Sequence, residues 1–378
     1  MKLGPSIIAV ALAACINISY LKAQDIPAVH MPVYYYRAVL QEKQSSIKAD
    51  DKLHELLQKL DLIFVDSMSF APDYANGYDT IVNTSLWIQS SSFYIHATET
   101  TNQEYKEFFE AQPYPKNMPD TMVWHNPIAI DDDPFIHYYF QHPAYKDYPV
   151  VGVSKTQADS FCKWKTVLLQ QELNKQGFKN YKVTVRLPTD AEWQIAYRKT
   201  IYQWLKSEEN SCYTGAVAST TAEAYVLGCN GYRANFGSIT SFRLQNLKRP
   251  MPGQTAVVSS VMKSKSLEAP TGVYHLLGNV AEWTQSSGEG SIFPMEQYYY
   301  SMGGKILPQT FRPIDSAVLG RRIHTKEQLR THYCIKGGAF DEDIYYLQPS
   351  AMRMAHKDSK FRDVGFRYIV EIKPNLWP

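Results

Sequence analysis

The stretch VRLPTDAEWQIA, residues 185–196, decides the fold of this chain. Its first residues predict a strand, which the proline ends because proline has no backbone N–H to donate. Thr189 and Glu192 then have the T-x-x-E spacing of a capping box, which marks the start of a helix. Trp193 and Ala196 recur with helical spacing and predict a buried face. The stretch therefore predicts a strand-to-helix corner.

Two more helix starts carry the same signature. Thr101 and Glu104 predict one helix, and Ser154 and Gln157 predict another. The second helix follows the apolar run YPVVGV, residues 148–153, which predicts a buried strand. One face of this helix is expected to contain Ala158, Phe161, Cys162 and Lys165, with Trp164 and Leu168 beside it.

The start of the chain has its own organisation. Residues 1–23 predict a signal peptide, because a basic Lys2 precedes an apolar run too short to span a bilayer. The sequence LAAC matches a bacterial lipobox that would make Cys15 the lipidated first residue, whereas ordinary cleavage after Ala23 is the competing interpretation. Residues 24–60 then predict a tether and an amphipathic helix, whose apolar stripe is Leu53, Leu56, Leu57 and Leu60.

Residues 61–373 are expected to form the main domain, opened by a strand over the sequence DLIFVDSMSF at residues 61–70. Insertions are expected near residues 200–270 and 285–330. The chain has 39 basic and 37 acidic residues, a net charge of +2, and no basic stripe with interleaved aromatic residues. Nucleic acid is therefore not an expected partner.

Five motifs follow one another along the domain. They are E-x-T-N at residues 99–102, R-L-P-T-x-A-E-W at 186–193, G-N-x-x-E-W at 278–283, G-G at 337–338 and G-F-R at 365–367. In this order they resemble the formylglycine-generating-enzyme, or sulfatase-modifying-factor, family. The resemblance implies an α+β fold of the C-type-lectin-like kind, loop-rich, with two main helices packed on twisted antiparallel strands. It also implies structural roles for Asn102, Arg186, Glu192, Trp193, Trp283, Gly337, Gly338, Arg353 and Arg367.

The catalytic thiols of that family are missing here. Its oxygen-dependent enzymes carry two cysteines shortly after the G-G pair, where soft thiolates bind Cu(I). In this chain those positions fall near Glu342 and Leu347, and Cys334 lies before the pair. We therefore expect no copper oxidase activity and no enzyme. Glu342 and its neighbour Asp341 are expected to be solvated loop acids.

Other cysteine and metal features leave alternatives open. The resemblance implies that Cys162 has lost its disulfide partner, because Tyr368 stands where the family often has cysteine. Cys212 and Cys229 either form a disulfide or stay reduced. Asn279 and Glu282 match a calcium site of the family, or they brace the loop by hydrogen bonds. Two further expectations are that an acidic turn at residues 131–133 is a solvated loop, and that Arg186, Arg353 and Arg367 pair with buried carboxylates such as Glu192 or Glu282.

Catalytic motifs of other classes are absent from the sequence. The related iron-dependent branch needs a His-x-x-x-His-x-Glu helix bundle, and the ten histidines of this chain contain no such spacing. The sequence also lacks H-E-x-x-H, G-x-S-x-G, a Walker loop and C-x-x-C. Metal, acyl-transfer and nucleotide chemistry of these kinds is therefore not expected.

The segment over residues 118–166 narrows the expected function. Its pieces P-D-T-x-V-W, Y-F-x-H-P-A-Y-x-D-Y-P-V-V-G-V and F-C-x-W-x-T resemble the gliding-motility lipoproteins of Bacteroidetes. The resemblance implies a non-catalytic assembly lipoprotein of the type IX secretion and gliding machinery, on the periplasmic face of the outer membrane. Its partners would be other proteins of that machinery and the lipid anchor, and copies of the chain itself would form a homo-oligomeric ring. The alternative is an enzyme of the family, or a module that binds carbohydrate or peptide on the lectin-like fold.

Overall fold

The computed structural model describes residues 40–42, 51–70, 73–76, 79–82, 88–125, 134–206, 234, 271–288, 330–342, 344–347 and 351–375. Several sequence predictions lie outside these residues. They are lipidation at Cys15, cleavage after Ala23, the bridge between Cys212 and Cys229, the acidic turn at residues 131–133 and most of both insertions.

Short strands and a few helices alternate along the described chain. The α-helices are α1 (Asp51–Lys59), α2 (Asn102–Ala111), α3 (Phe135–Tyr138), α4 (Lys155–Lys175) and α5 (Asp190–Lys206). The strands are β1 (Leu40–Glu42), β2 (Leu62–Val65), β3 (Met68–Phe70), β4 (Asp73–Asn76), β5 (Asp79–Val82), β6 (Ile88–Ser90), β7 (Phe93–His96), β8 (Tyr181–Arg186), β9 (Ala281–Ser287), β10 (His332–Lys336), β11 (Arg353–His356), β12 (Val364–Gly365) and β13 (Ile369–Pro374). The predicted α+β class is confirmed.

Two four-stranded sheets form the frame of the domain. One has the order β2-β7-β13-β8 and is antiparallel throughout. The other has the order β11-β10-β9-β12, in which only the β12–β9 pair is parallel. The described strands also form the sheet β1-β3-β6 and the hairpin β4-β5. Strands distant in sequence therefore pair within each sheet, and β13 lies between β7 and β8.

The helix starts follow from local hydrogen bonds. In each predicted capping box the first side chain accepts from a backbone N–H three residues on, and the acidic or amide side chain accepts from the first backbone N–H. The pairs are Thr101 with Glu104, Ser154 with Gln157, and Thr189 with Glu192. The predicted start of all three helices is confirmed.

Aromatic rings fill the space between α2, α4 and the strands. Tyr105 and Phe108 of α2 are fully buried, and the Tyr105 ring stacks on Phe161 of α4 at a centroid distance of 5.9 Å. Phe366, between β12 and β13, meets Phe161 edge-on at 5.3 Å. Such offset and edge contacts stabilise beyond the buried area alone. This cluster fixes both helices against the segment that carries the G-F-R motif.

Two predictions about the N-terminal part of the domain are wrong. Residues 61–70 form two strands in different sheets, because β2 pairs with β7 whereas β3 pairs with β1 and β6. In α1, Leu53 and Leu57 are buried as predicted. Leu60 lies beyond the end of the helix and is 38% exposed.

The run YPVVGV is buried but is not a regular strand. Val150 donates to Thr100 at 2.9 Å, Gly152 donates to Phe361 at 2.9 Å, and Gly152 accepts from Asp120 at 2.8 Å. The backbone is thus satisfied by three separate segments rather than by one ladder. Gly152 has φ of +71°, which interrupts extended pairing.

Candidate functional site

The site expected from the sequence lies just after the G-G pair. Gly337 and Gly338 follow β10 with φ of +95° and +69°, so the chain turns sharply there. Leu347, at one thiol position, is fully buried at the end of the short 3₁₀ helix Ile344–Leu347. A Cβ at Gly338 would lie 2.8 Å from its Cδ2 atom. Apolar packing therefore fills this thiol position.

The G-G pair offers a test with a matched control. Gly337 and Gly177 have similar φ, +95° and +92°, but a Cβ at Gly337 would lie 2.9 Å from the carbonyl oxygen of Leu276, while one at Gly177 meets nothing within 4 Å. We expect Gly337→Ala to lower the free energy of unfolding by about 1–3 kcal/mol more than Gly177→Ala, because both share the φ strain and one adds overpacking. Urea denaturation measures the difference, and equal losses would show that the close approach is unimportant.

The other thiol position belongs to a group of ion pairs. Arg353 Nη1 lies 2.9 Å from Glu342 Oε1 and 2.6 Å from Asp363 Oδ2, and Arg362 Nη2 lies 2.9 Å from Asp341 Oδ2. The Glu342 side chain is only 11% exposed, and burial raises its pKa to about 7 against the lowering effect of Arg353. The prediction that Asp341 and Glu342 are solvated loop acids is wrong, because arginines distant in sequence cover them.

A second polar network joins the G-N-x-x-E-W and G-F-R motifs in the core. Arg367 Nε donates to Glu282 Oε1 at 2.7 Å, and Trp193 Nε1 donates to Glu282 Oε2 at 3.0 Å. Asn279, with φ of +63°, donates from Nδ2 to Glu99 Oε1 at 3.0 Å. All five side chains are buried. The predicted pairing of an arginine with Glu282 is confirmed for Arg367.

This donor set does not fit the calcium ion that the family resemblance implies. Both carboxylate oxygens of Glu282 accept hydrogen bonds, and one of them touches the guanidinium of Arg367. A calcium ion needs six or more oxygens and would add two positive charges beside that cation. Within the described residues no cluster of three or more His, Cys, Asp or Glu side chains is placed to hold a metal. Asn279 and Glu282 instead brace the loop.

Glu99 makes the stability depend on pH. Burial raises its pKa to about 7, against an ordinary value of 4.5, and among the described residues its Oε2 atom has no hydrogen-bond partner. The folded protein therefore holds this proton more tightly than the unfolded chain does. The stabilisation that comes from protonating Glu99 is complete below about pH 4.5 and is lost as the pH rises through 7.

Glu99→Gln mimics the protonated acid at every pH. We expect the variant to match the natural protein near pH 4.5 and to exceed its free energy of unfolding above pH 7, by up to about 3 kcal/mol. Urea titrations of both proteins between these pH values measure the difference, which also cancels the contribution of other titrating groups. Parallel curves would contradict the role of Glu99.

The other residues singled out from the sequence are held by hydrogen bonds, ion pairs or burial. Arg186 bridges Glu192, at 2.7 and 2.8 Å, and Glu371 of β13, which confirms the predicted partner Glu192 and adds a second. Asn102 donates from Nδ2 to the carbonyls of Tyr139 and Tyr145, both at 3.0 Å. Cys162 is buried with a free thiol, and burial raises its pKa. Trp283 donates to the carbonyl of Val153 at 3.0 Å.

The structure also contains a buried ion pair that the sequence motifs did not indicate. Lys336 Nζ lies 3.4 Å from Asp190 Oδ1, and neither side chain is exposed at all. Lys336 directly precedes the G-G pair, and Asp190 is the first residue of α5. A lysine directly after the buried Cys334 and Ile335 was the available signal, because such a charge needs a partner when it is buried.

A comparison with protein families agrees with the resemblance that the motifs carry. The model of the family described as "Sulfatase-modifying factor enzyme 1-like domain" matches residues 71–372. The chain belongs to this sulfatase-modifying-factor family. No curated protein matches the chain significantly. In the described part of the chain, no helix is both long enough and apolar enough to cross a bilayer.

Solved structures with similarity to this sulfatase-modifying-factor domain are distant. Treponema denticola variable protein 1 has 15% identity and a TM-score of 0.43, covering 82% of this chain and 94% of its own. PvdO from Pseudomonas aeruginosa has 16% identity and a TM-score of 0.44, with the same coverages. CarF has 16% identity and a TM-score of 0.38, covering 83% and 98%. At these values none of the three informs the function of this family member.

Proposed function

We propose that this chain is a non-catalytic assembly lipoprotein of the type IX secretion and gliding machinery, held at the periplasmic face of the outer membrane. One observation carries the non-catalytic part. The positions at which oxygen-dependent members of the family hold two copper-binding thiols contain Glu342, paired with Arg353 at 2.9 Å, and the fully buried Leu347.

These two residues cannot supply the missing chemistry. Cu(I) prefers soft thiolate ligands, whereas a carboxylate is a hard oxygen donor and leucine donates nothing. The guanidinium of Arg353 beside Glu342 also repels a metal cation. Cys162 is buried, and its raised pKa disfavours the thiolate form that binds metal.

The assembly part of the proposal is supported by the segment that resembles the gliding-motility lipoproteins. Within it, the ring of Trp124 lies 5.0 Å from that of Tyr139 and stacks on Phe340 at 6.3 Å. Phe340 is the second residue after Gly338, so this segment packs against the loop in which the family places its thiols. Packing over this loop is consistent with a protein that binds partner proteins and does not turn over a substrate.

A copper titration tests the non-catalytic part. Purified protein is titrated with Cu(I) in competition with a chelator and is then incubated with oxygen and a cysteine-bearing sulfatase peptide. A copper-dependent formylglycine-generating enzyme treated in parallel is the positive control. We expect neither stoichiometric copper nor conversion of the peptide. Stoichiometric copper together with peptide conversion would refute the proposal.

A deletion in the host bacterium tests the assembly part. Loss of the gene is expected to stop release of secreted cargo and surface motility, and the full-length gene is expected to restore both. Complementation with Cys15→Ala separates the lipid anchor from the domain, because this variant lacks the acylated thiol. Normal secretion and motility in the deletion strain, with no second copy of the gene present, would overturn the assembly role.

A further inference from the structure

A cavity of about 580 Å³ opens between the end of α1, strand β7 and helix α4, away from the G-G loop. Such a volume is within the range of about 300–1,000 Å³ that is usual for ligand sites. Apolar and polar side chains both line it. The apolar ones are Leu60, Leu62, Leu168 and Leu169, and the polar ones include His96, Glu104, Lys165 and Tyr368. The cavity can therefore hold a ligand that has an apolar body and a polar group.

One hydrogen-bond acceptor in this lining has no donor. His96 Nδ1 lies 2.9 Å from the carbonyl oxygen of Thr98, and because a carbonyl only accepts, Nδ1 carries the proton. Burial lowers the pKa of His96, so its Nε2 atom is an unprotonated acceptor at neutral pH. Among the described residues no donor lies within hydrogen-bond distance of Nε2, and Glu104 Oε1, 3.9 Å away, is itself an acceptor. A ligand that satisfies Nε2 must therefore donate.

The charges of the described lining are already engaged, so the donor is expected to be neutral. Lys165 Nζ lies 3.2 Å from Glu104 Oε1, and the two charges offset each other. The other carboxylates of the lining, those of Asp61, Asp147 and Glu172, have interactions of their own. Neither a cation nor an anion would therefore gain a free counter-charge in this cavity.

A hydroxyl group is a neutral donor that also suits the neighbour of His96. Lys165 Nζ carries three N–H donors, of which the contact with Glu104 uses one, so a ligand oxygen can accept from another. His96 Nε2 and Lys165 Nζ lie 3.9 and 3.2 Å from the same Glu104 oxygen, and the Lys165 side chain is 24% exposed on a flexible stem. One hydroxyl can thus donate to Nε2 and accept from Nζ, each over about 2.8 Å.

The apolar wall favours an aromatic ring as the body of the ligand. Leu62, Leu168 and Leu169 line the cavity beside the polar groups, and a flat ring that lies against them removes apolar surface from water. A phenol has a pKa of about 10, so its hydroxyl is a stronger hydrogen-bond donor than that of an aliphatic alcohol. A phenol therefore combines the body and the polar group that this lining fits.

We propose that this cavity binds a small neutral phenol, with its hydroxyl donating to His96 Nε2 and accepting from Lys165 Nζ and its ring lying against the leucines. The site is separate from the loop after Gly338, and an assembly protein and an enzyme could both carry it. A negative result here would therefore leave the copper and deletion experiments unaffected.

Two small ligands that differ by one hydroxyl test the site. NMR titration of the full chain measures binding of p-cresol and of toluene, which keeps the ring and the methyl group and lacks the hydroxyl. Histidine-selective ¹⁵N NMR then follows His96 Nε2. We expect p-cresol to bind with a Kd below about 1 mM, to shift this resonance, and to bind at least about tenfold more tightly than toluene. Equal affinities, or no binding of p-cresol at about 5 mM, would overturn the proposal.

Variants of α4 locate the bound phenol. Lys165→Met removes the donor to the phenol oxygen and is expected to weaken p-cresol at least about fivefold, and Lys163→Met is its control, an exposed lysine of the same helix outside the lining. Leu168→Gln places a polar group against the ring and is expected to weaken p-cresol about threefold. Val167→Gln is the control for this change, since Val167 is 55% exposed and is not among the lining residues. Thermal unfolding of each variant shows whether it is folded.

The outcomes separate the possible ligands. Weaker binding of p-cresol in Lys165→Met and Leu168→Gln, with unchanged binding in both controls, supports the site. Equal losses in the lining variants and the controls would place the phenol elsewhere and refute it. A tyrosine-containing peptide that binds at least about tenfold more tightly than p-cresol would assign the cavity to the side chain of a partner protein and overturn the assignment to a small molecule.

Discussion

Replacing Lys336 with methionine is expected to lower the free energy of unfolding by about 3–5 kcal/mol. Lys336 Nζ lies 3.4 Å from Asp190 Oδ1 and donates to the carbonyl of Ala351 at 2.8 Å, with no exposed surface on either ionic side chain. Methionine fills a similar volume but leaves the Asp190 carboxylate in the core without this cation. Removing one partner of a buried ion pair is strongly destabilising, because the remaining charge stays in the low-dielectric core.

A double variant separates charge from packing. Asp190→Asn added to Lys336→Met removes the carboxylate that has lost its lysine, so it is expected to recover part of the lost stability. Lys373→Met is the control, because the Lys373 side chain is 76% exposed and its removal should change stability by less than about 0.5 kcal/mol. Urea denaturation measures all three proteins. A loss below about 1 kcal/mol for Lys336→Met would mean that the pair contributes little to the fold.

Replacing Arg367 with methionine is expected to have an effect of the same size, about 3–5 kcal/mol. Its guanidinium donates to Glu282 of β9 and, at 3.2, 3.4 and 2.8 Å, to the carbonyls of His96, Ala97 and Tyr274. One side chain therefore connects the two four-stranded sheets. Its loss leaves a buried carboxylate and several buried carbonyls without this donor, and each such group costs free energy.

Replacing Arg367 with lysine tests whether the geometry of the guanidinium matters. An ammonium keeps the charge but has three donors on one atom, so it cannot reach acceptors spread around a planar guanidinium. We expect Arg367→Lys to lose at least about 2 kcal/mol, measured by thermal and urea unfolding. Arg362→Met is the control, since this arginine is 48% exposed and its pair with Asp341 should contribute no more than about 1 kcal/mol. Natural stability in Arg367→Lys would contradict the connecting role.

Local features of the fold were predictable because they depend on neighbouring residues. The capping boxes at Thr101, Ser154 and Thr189 are formed by side chains three residues apart, so spacing alone identifies them. The buried face of α5 follows in the same way from the helical repeat of Trp193 and Ala196. The motif order then predicted the sulfatase-modifying-factor family and, with it, the α+β class.

Other features escaped the sequence because distant segments decide them. The break within residues 61–70 depends on which strands are available to pair, and the irregular run YPVVGV depends on three separate partners. The burial of Glu342 depends on Arg353 and Asp363, which reach it from later strands and loops. His96 and Glu104 lie on different elements and come within 3.9 Å of each other only when β7 and α2 pack.

The sequence by itself determined the family, the helix starts and the absence of paired thiols after Gly338, since each is written in consecutive or closely spaced residues. Only the tertiary structure decided which charges are buried and what they contact. Lys336 met Asp190 and Arg367 met Glu282 through packing of elements far apart in the chain, and Arg353 of β11 met Glu342 of the loop before it. The physical reason is that desolvation and ion pairing depend on distance in space, whereas sequence patterns report neighbours along the backbone.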